Sequence, residues 1–157
     1  MRRTAGLLLV LSSLVAVAAG CGGGGGARLS KSDYQKQLNT IGNSLSGTAN
    51  GIGSLNRSDL KAASTGLDKL AGVFDTAVAK VSKLKAPKDI ESAQADLVAA
   101  LKSAAAELRS YATKLKTTSL ANAQGLVKQL QNVTSSVPFK QIQAAIKEYQ
   151  AKGYSVG

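Results

Sequence analysis

The 157-residue chain contains no histidine, no tryptophan and one cysteine, and only nine of its residues are acidic. The absence of histidine removes the commonest general base and the commonest protein metal ligand. The acidic residues are scattered singly, and the sequence contains no HExxH, GxSxG or glycine-rich phosphate-binding motif. We therefore expect a protein that is not an enzyme, with no catalytic residue, no metal site and no dissociable cofactor.

Aromatic side chains are also scarce, since they make up only 4% of the chain. A core must then be built from alanine, leucine, valine and isoleucine. Such a core requires closely packed backbones, which favours helices with alanine-rich contact faces. The length is that of one domain with a substantial core.

The single cysteine, Cys21, directly follows the three parts of a secretory signal. Met1-Arg2-Arg3 is basic, an apolar run extends from Leu7 to Ala19, and Gly20 is a small boundary residue. The segment Val17-Ala18-Ala19-Gly20-Cys21 resembles the lipobox of bacterial lipoproteins, with Ala18 at the position where leucine is usual.

This resemblance implies transfer of a diacylglyceryl lipid to the Cys21 thiol and cleavage between Gly20 and Cys21. The covalent lipid would hold the protein on the extracytoplasmic face of the cell membrane. The general secretory route is favoured over twin-arginine export, because Ala5-Gly6 stands where bulky residues are expected after the arginine pair.

Three other interpretations of Cys21 remain open. The apolar run could be an uncleaved membrane anchor, although a helix that crosses a ~30 Å bilayer needs about 20 apolar residues. Cys21 could be a structural cysteine, although it has no partner cysteine, or it could lie incidentally beside an ordinary cleavage site. The run Gly22–Gly26 after it is typical of a flexible tether.

Beyond the tether, apolar residues recur at steps of three and four, which indicates amphipathic helices. The first helix is predicted over about Ser30 to Ala49, with Ser30 in a capping-box pattern and glycines weakening its end. The second begins near Leu60, capped by Ser58 or Asn56, and ends before Pro87. The third spans about Lys88 to Lys116. A fourth follows Ser119, and a fifth ends at Gly153, after which the tail is predicted to be loose.

Short connections between such helices predict an all-α, up-down antiparallel bundle of four to five helices. The predicted organisation is a signal peptide at residues 1–20, a lipidated cysteine and tether at 21–29, and the bundle at 30–157. The stretches Leu29-Ser30-Lys31-Ser32-Asp33-Tyr34 and Leu84-Lys85-Ala86-Pro87 resemble small actinobacterial lipoproteins of unknown function, which provide no catalytic residues to carry over.

A net charge of +11 suggests an anionic partner, and export makes nucleic acid improbable. In an up-down bundle the start of the first helix, the end of the second and the start of the third share one end, which the tether turns towards the membrane. The cations expected there are Arg28, Lys31, Lys36, Lys80, Lys83, Lys85 and Lys88, joined by Lys140 if the connection between the last two helices lies at the same end.

This basic end is a candidate contact for anionic headgroups or wall polymers. The alternative is that these lysines complement a helix dipole and keep the domain soluble.

Two functions remain for the whole protein. The first is a non-enzymatic interaction or structural module at the cell envelope, whose protein partner the sequence does not identify. The second is a carrier for a small hydrophobic or anionic ligand, held in a groove between helices. The groove would be an apolar pocket with a few polar groups, and the small residues Gly47-Thr48-Ala49-Asn50-Gly51 are one place where it could open.

Overall fold

The computed structural model describes residues 27–53, 59–119 and 122–156, with the backbone alone for residues 48–53. Within these ranges the α-helices are α1 (Lys31–Gly53), α2 (Leu60–Lys83), α3 (Glu91–Thr117), α4 (Ala123–Gln131) and α5 (Val137–Ala151). Short 3-10 helices at Lys88–Ile90 and Val133–Ser135 precede α3 and α5. These ranges contain no strand, and the predicted all-α fold is confirmed.

The first two helices begin at side-chain caps. The Ser30 hydroxyl accepts a hydrogen bond from the Asp33 backbone N–H at 3.1 Å and donates to the Asp33 carboxylate at 2.6 Å. The predicted cap of α1 is therefore confirmed. The cap of α2 was wrongly predicted, because the Asp59 carboxylate accepts from the Ala62 N–H at 2.9 Å. Such a bond satisfies one of the free N–H groups of a first helical turn.

Hydrogen bonds at one end of the bundle fix the antiparallel arrangement. The Leu29 N–H donates to the Lys85 carbonyl at 2.9 Å, so the start of α1 meets the end of α2. The Gln94 side chain of α3 donates to the Leu84 carbonyl at 3.0 Å, which brings the start of α3 to the same place. We call this the tether end, because the chain enters the bundle there.

The last helix, α5, ends at the tether end but begins elsewhere. The Lys31 ammonium donates to the Lys152 carbonyl just beyond α5, at 3.0 Å. The start of α5 lies part-way along α3, where the Ser136 hydroxyl donates to Glu107 at 2.6 Å. The condition under which Lys140 would join the basic end is therefore not met, because α4 and α5 both run from the far end of α3 back towards its beginning.

The core is centred on α2 and α3, which pack along most of their length. Buried alanines on both helices, such as Ala71 and Ala104, let the two backbones approach closely. The buried Ser64 hydroxyl of α2 donates to the Ala112 carbonyl of α3 at 2.9 Å. All the buried apolar residues of this cluster lie between Tyr34 and Val156, so the segment from Ala27 onward carries its own core.

The predicted loose tail is wrong, because the described part of the C-terminal segment is packed. Gly153 adopts φ +76° after α5, and the Tyr154 N–H donates to the Tyr149 carbonyl at 3.0 Å. This turn is a Schellman motif, which needs a left-handed residue and therefore favours glycine. It directs Tyr154 and Val156 back into the core, where they are 2% and 8% exposed.

None of the helices in the ranges given above is long and apolar enough to cross a bilayer.

Candidate functional site

An apolar cleft of about 250 Å³ lies between α1 and α5. It forms because α1 packs chiefly on α2 and α5 packs chiefly on α3, so the two outer helices meet mainly at the tether end. There, Tyr34 of α1 stacks against Tyr149 of α5 with ring centroids 6.1 Å apart. Away from this contact the outer helices leave part of the α2–α3 core uncovered.

The walls of the cleft come from four helices and the tail. Its floor consists of α2 and α3 side chains, with α1 on one side and α5 on the other. The lining residues are Leu38, Asn39, Ile41, Gly42, Leu45, Ser46, Phe74, Val81, Leu97, Leu101, Phe139, Ile142, Ile146, Tyr149 and Val156. None of these is charged, so the cleft is suited to a neutral, apolar occupant.

The lining of the cleft explains why several large side chains of α5 are only half-buried. Phe139, Ile142 and Ile146 follow the apolar period of the helix, yet they remain partly accessible because they face the cleft. Gly42 on the opposite wall contributes to the space, since a Cβ added there would meet no atom within 4 Å.

Asn39 provides the one amide side chain in the lining. Its Nδ2 donates to the Ser155 carbonyl at 3.0 Å, which ties α1 to the tail. Its Oδ1 is buried and receives no hydrogen bond from the residues that the structure describes. A buried acceptor without a donor is destabilising by about 1–3 kcal/mol, so this atom is a natural position for a ligand donor.

Three tyrosines pack together at the tether end, and one of them, Tyr149, lines the cleft. The Tyr34 and Tyr149 hydroxyl oxygens are 2.8 Å apart, and Tyr154 packs edge-on against both rings. Burial raises the pKa of Tyr34 and of Tyr149 above the usual tyrosine range, and for Tyr149 the bond to Tyr34 raises it further. Burial, followed by the bond to Asp89, raises the pKa of Tyr154 to about 12. All three hydroxyls therefore remain protonated and neutral at physiological pH.

Two of the cations predicted for the basic end make local contacts. Arg28 forms an ion pair with Glu91 and donates to the Ala86 carbonyl at 2.7 Å. Lys31 caps the Lys152 carbonyl and lies 4.6 Å from the centre of the Tyr154 ring. Through these contacts, both residues stabilise the fold.

The other five predicted cations remain available to a partner. They are Lys36, Lys80, Lys83, Lys85 and Lys88. All are exposed, and within the described ranges none has an ion pair. The start of α1, the end of α2 and the start of α3 lie together at the tether end, as predicted. The tether end therefore carries an accessible basic surface.

Cys21 and Gly20, the predicted lipidation and cleavage residues, lie outside the described residues, as does the glycine tether up to Gly26. The side chains of Thr48, Ala49 and Asn50, suggested as a place for a groove, also lie outside them. The cleft opens earlier in α1, at Gly42. In the part of the chain that the structure describes, no cluster of acidic or sulfur ligands could hold a metal ion.

Sequence reasoning did not identify Asn39, Gly42 or the α5 wall as parts of a site. A signal was present, because Gly42 interrupts the apolar face between Ile41 and Leu45. A glycine on the buried face of a helix indicates either a close approach of backbones or an empty space. Periodicity alone does not distinguish the two.

No known protein family, curated protein or solved structure matches this chain. The site is therefore interpreted from its own geometry.

Proposed function

We propose that this protein is a membrane-anchored, extracytoplasmic lipoprotein that binds a small apolar ligand in the cleft between α1 and α5. The observation that supports this proposal is the cleft itself, which has a volume of about 250 Å³ and is lined by apolar side chains from α1, α2, α3 and α5. An engineered apolar cavity of about 150 Å³ in another protein binds benzene, so a space of this size accepts roughly ten heavy atoms. This favours a carrier over a densely packed interaction module.

The position of the cleft supports exchange of ligand with a membrane. It is lined by Val81 near the end of α2, by Leu97 near the start of α3 and by Tyr149 near the end of α5. All of these positions lie in the half of the bundle nearest the tether end. A lipid on Cys21 would hold this half towards the bilayer.

The exposed lysines of the tether end favour a second contact, with anionic headgroups or wall polymers. Lys80 and Lys83 extend from the last turn of α2, and Lys85 and Lys88 follow in the connection to α3. Basic side chains near an anionic membrane surface each contribute about 1 kcal/mol of attraction. Since two acyl chains anchor a protein firmly, the lysines would set its orientation more than its attachment.

The ligand-binding proposal is tested by filling the cleft from Gly42. Gly42 lines the cleft, and a Cβ added there has no neighbour within 4 Å, so we expect a leucine at this position to occupy part of the cleft. Gly47 is the matched control, since it lies on the same helix, is exposed, has equally open surroundings and does not line the cleft. Both substitutions improve helix propensity by a similar amount.

The measurement is the thermal unfolding midpoint of the segment from Ala27 onward, with and without 1-octanol. At a ligand concentration ten times the dissociation constant, binding stabilises the folded state by about 1.4 kcal/mol. That corresponds to an increase of about 5 °C in a domain of this size. We expect this increase in the wild type and in Gly47→Leu but not in Gly42→Leu. An equal response of both variants, or no response of the wild type, would contradict the proposal.

A further inference from the structure

The chemistry of the cleft also restricts which ligand it accepts. We infer that the ligand is a neutral single-chain amphiphile whose hydroxyl group donates a hydrogen bond to Asn39 Oδ1. This inference rests on the proposed binding function and specifies the polarity, charge and size of the ligand.

The absence of charge from the lining excludes an anionic head within the cleft. The accessible lysines of the tether end do not line it, and neither do Arg28 and Lys31. A carboxylate moved from water into an apolar site without a cation is strongly destabilised. Of the two ligand types expected from the sequence, hydrophobic or anionic, the geometry favours the neutral hydrophobic one.

Asn39 Oδ1 is the atom that would favour a ligand with a hydrogen-bond donor in this apolar cleft. The assignment of oxygen and nitrogen in this amide is fixed by Nδ2, which donates to the Ser155 carbonyl and could not be exchanged for an acceptor. Oδ1 therefore accepts hydrogen bonds only, and no group in the described part of the chain donates to it. Oδ1 itself is buried, so the proposed bond requires a rotation of the Asn39 amide towards the cleft about its terminal torsion, which is soft in asparagine.

The other polar side chains of the lining each make a hydrogen bond already, and their hydroxyl oxygens keep a free lone pair for a further one. The Ser46 hydroxyl donates to the Gly42 carbonyl at 3.2 Å, and the Tyr149 hydroxyl is paired with Tyr34. Asn39 Oδ1 is therefore the buried acceptor to which a ligand donor would supply the missing hydrogen bond. A hydroxyl supplies that donor, whereas an ether or a carboxylate supplies only acceptors.

The size of the cleft indicates one short chain. Pockets for drug-sized molecules are usually about 300–1,000 Å³, and this cleft is smaller. A linear chain of about eight carbons with one hydroxyl matches the space for roughly ten heavy atoms.

The test compares three probes of similar length: 1-octanol, methyl octyl ether and octanoate. Each is titrated by calorimetry into the segment from Ala27 onward at neutral pH. A hydrogen bond to a buried acceptor predicts that 1-octanol binds about five to ten times more tightly than the ether. Octanoate should bind more weakly than 1-octanol, because its charge must be desolvated.

Asn39→Leu removes the acceptor with little change of volume and should bring the ratio of the two neutral affinities close to one. It also removes the bond to the tail, so Gln150→Leu is the matched control. Gln150 donates to the Val156 carbonyl at 3.2 Å and does not line the cleft. We expect the Gln150→Leu variant to keep the wild-type preference for 1-octanol.

The outcomes separate the two proposals. If the wild type binds the ether or octanoate as well as 1-octanol, or if Asn39→Leu retains the preference, the hydroxyl inference is wrong and the binding function stands. If none of the three probes binds, the proposed function itself is wrong.

Discussion

The hydroxyl oxygens of Tyr34 in α1 and Tyr149 in α5 lie 2.8 Å apart within a fully buried contact. Tyr34 is the first buried residue of the described chain, and Tyr149 lies in the last helix. Their contact joins the two outer helices at the tether end, while the cleft opens between the same helices beyond it. The tyrosine pair thus fixes one end of the site.

The first prediction concerns this pair. Tyr34→Phe should lower the free energy of unfolding by about 1–3 kcal/mol, because it leaves the Tyr149 hydroxyl buried without a partner. Tyr149→Phe should have a similar effect for the reciprocal reason. The double variant should lose less than the sum, since it leaves no unpaired hydroxyl. Urea denaturation of the four proteins measures the coupling, and strictly additive losses would show that the bond contributes nothing.

The second prediction concerns the tail. Tyr154→Ala should destabilise the protein by about 3–5 kcal/mol, because it removes a buried ring that packs on Tyr34 and Tyr149. Ser155→Ala, at an exposed neighbouring position, should change stability by less than about 0.5 kcal/mol. Chemical denaturation midpoints check both values. Equal stability of the two variants would mean that the tail does not pack as described.

The third prediction is a loss of stability at alkaline pH. The pKa of Tyr154 is raised to about 12, from an ordinary value of 10.0, so folding favours its neutral form. A group with a raised folded-state pKa contributes stability that is complete below the unfolded value and declines as pH rises towards the folded one. Stability should therefore fall between about pH 10 and pH 12.

Tyr34 and Tyr149, whose pKa values are also raised, act in the same direction. The check is a series of urea denaturations from pH 8 to pH 12, repeated with Tyr154→Phe. The phenylalanine variant should lose stability less steeply over this range. Identical slopes would show that Tyr154 does not contribute to the alkaline transition.

The fourth prediction tests the basic surface with two charge-matched variants. Replacing Lys80 and Lys83 by glutamine should weaken binding to anionic vesicles about 30-fold, if each contributes about 1 kcal/mol. Replacing Lys61 and Lys69, exposed on the same helix but farther from the tether end, should have a much smaller effect. Co-sedimentation measures both. Equal losses in the two variants would indicate a general effect of net charge, and added salt should weaken whatever binding is seen.

The apolar period of the sequence was sufficient to predict the central helices. Leu67, Phe74 and Val81 of α2, and Leu97, Leu101 and Leu108 of α3, are all buried as their spacing indicates. The shared position of the starts of α1 and α3 and the end of α2 was also predictable, because short connections force antiparallel neighbours. Ser30 could be identified as a cap because its pairing with Asp33 is local.

The errors arose where distant residues meet. Tyr154 follows a glycine that correctly marks the end of α5, yet its burial depends on Tyr34, which lies far away in the sequence. The position of Lys140 stayed open in the sequence, because the length of the α4 segment determines where α5 begins and periodicity contains no such information. The sequence suggested a groove between helices near residues 47–51, whereas the cleft lies earlier in α1, because its position depends on how far apart two non-adjacent helices lie.

The sequence by itself determined a helical protein whose core is made of alanine and aliphatic residues, because composition and period act locally along each helix. It also predicted a lipid-anchored N-terminus at Cys21, which stays a prediction. Only the tertiary structure decided that α1 and α5 separate around Gly42, that Asn39 Oδ1 is left without a donor, and that the tail closes the tether end. These features depend on the packing of four helices at once, and no single segment of the chain specifies them.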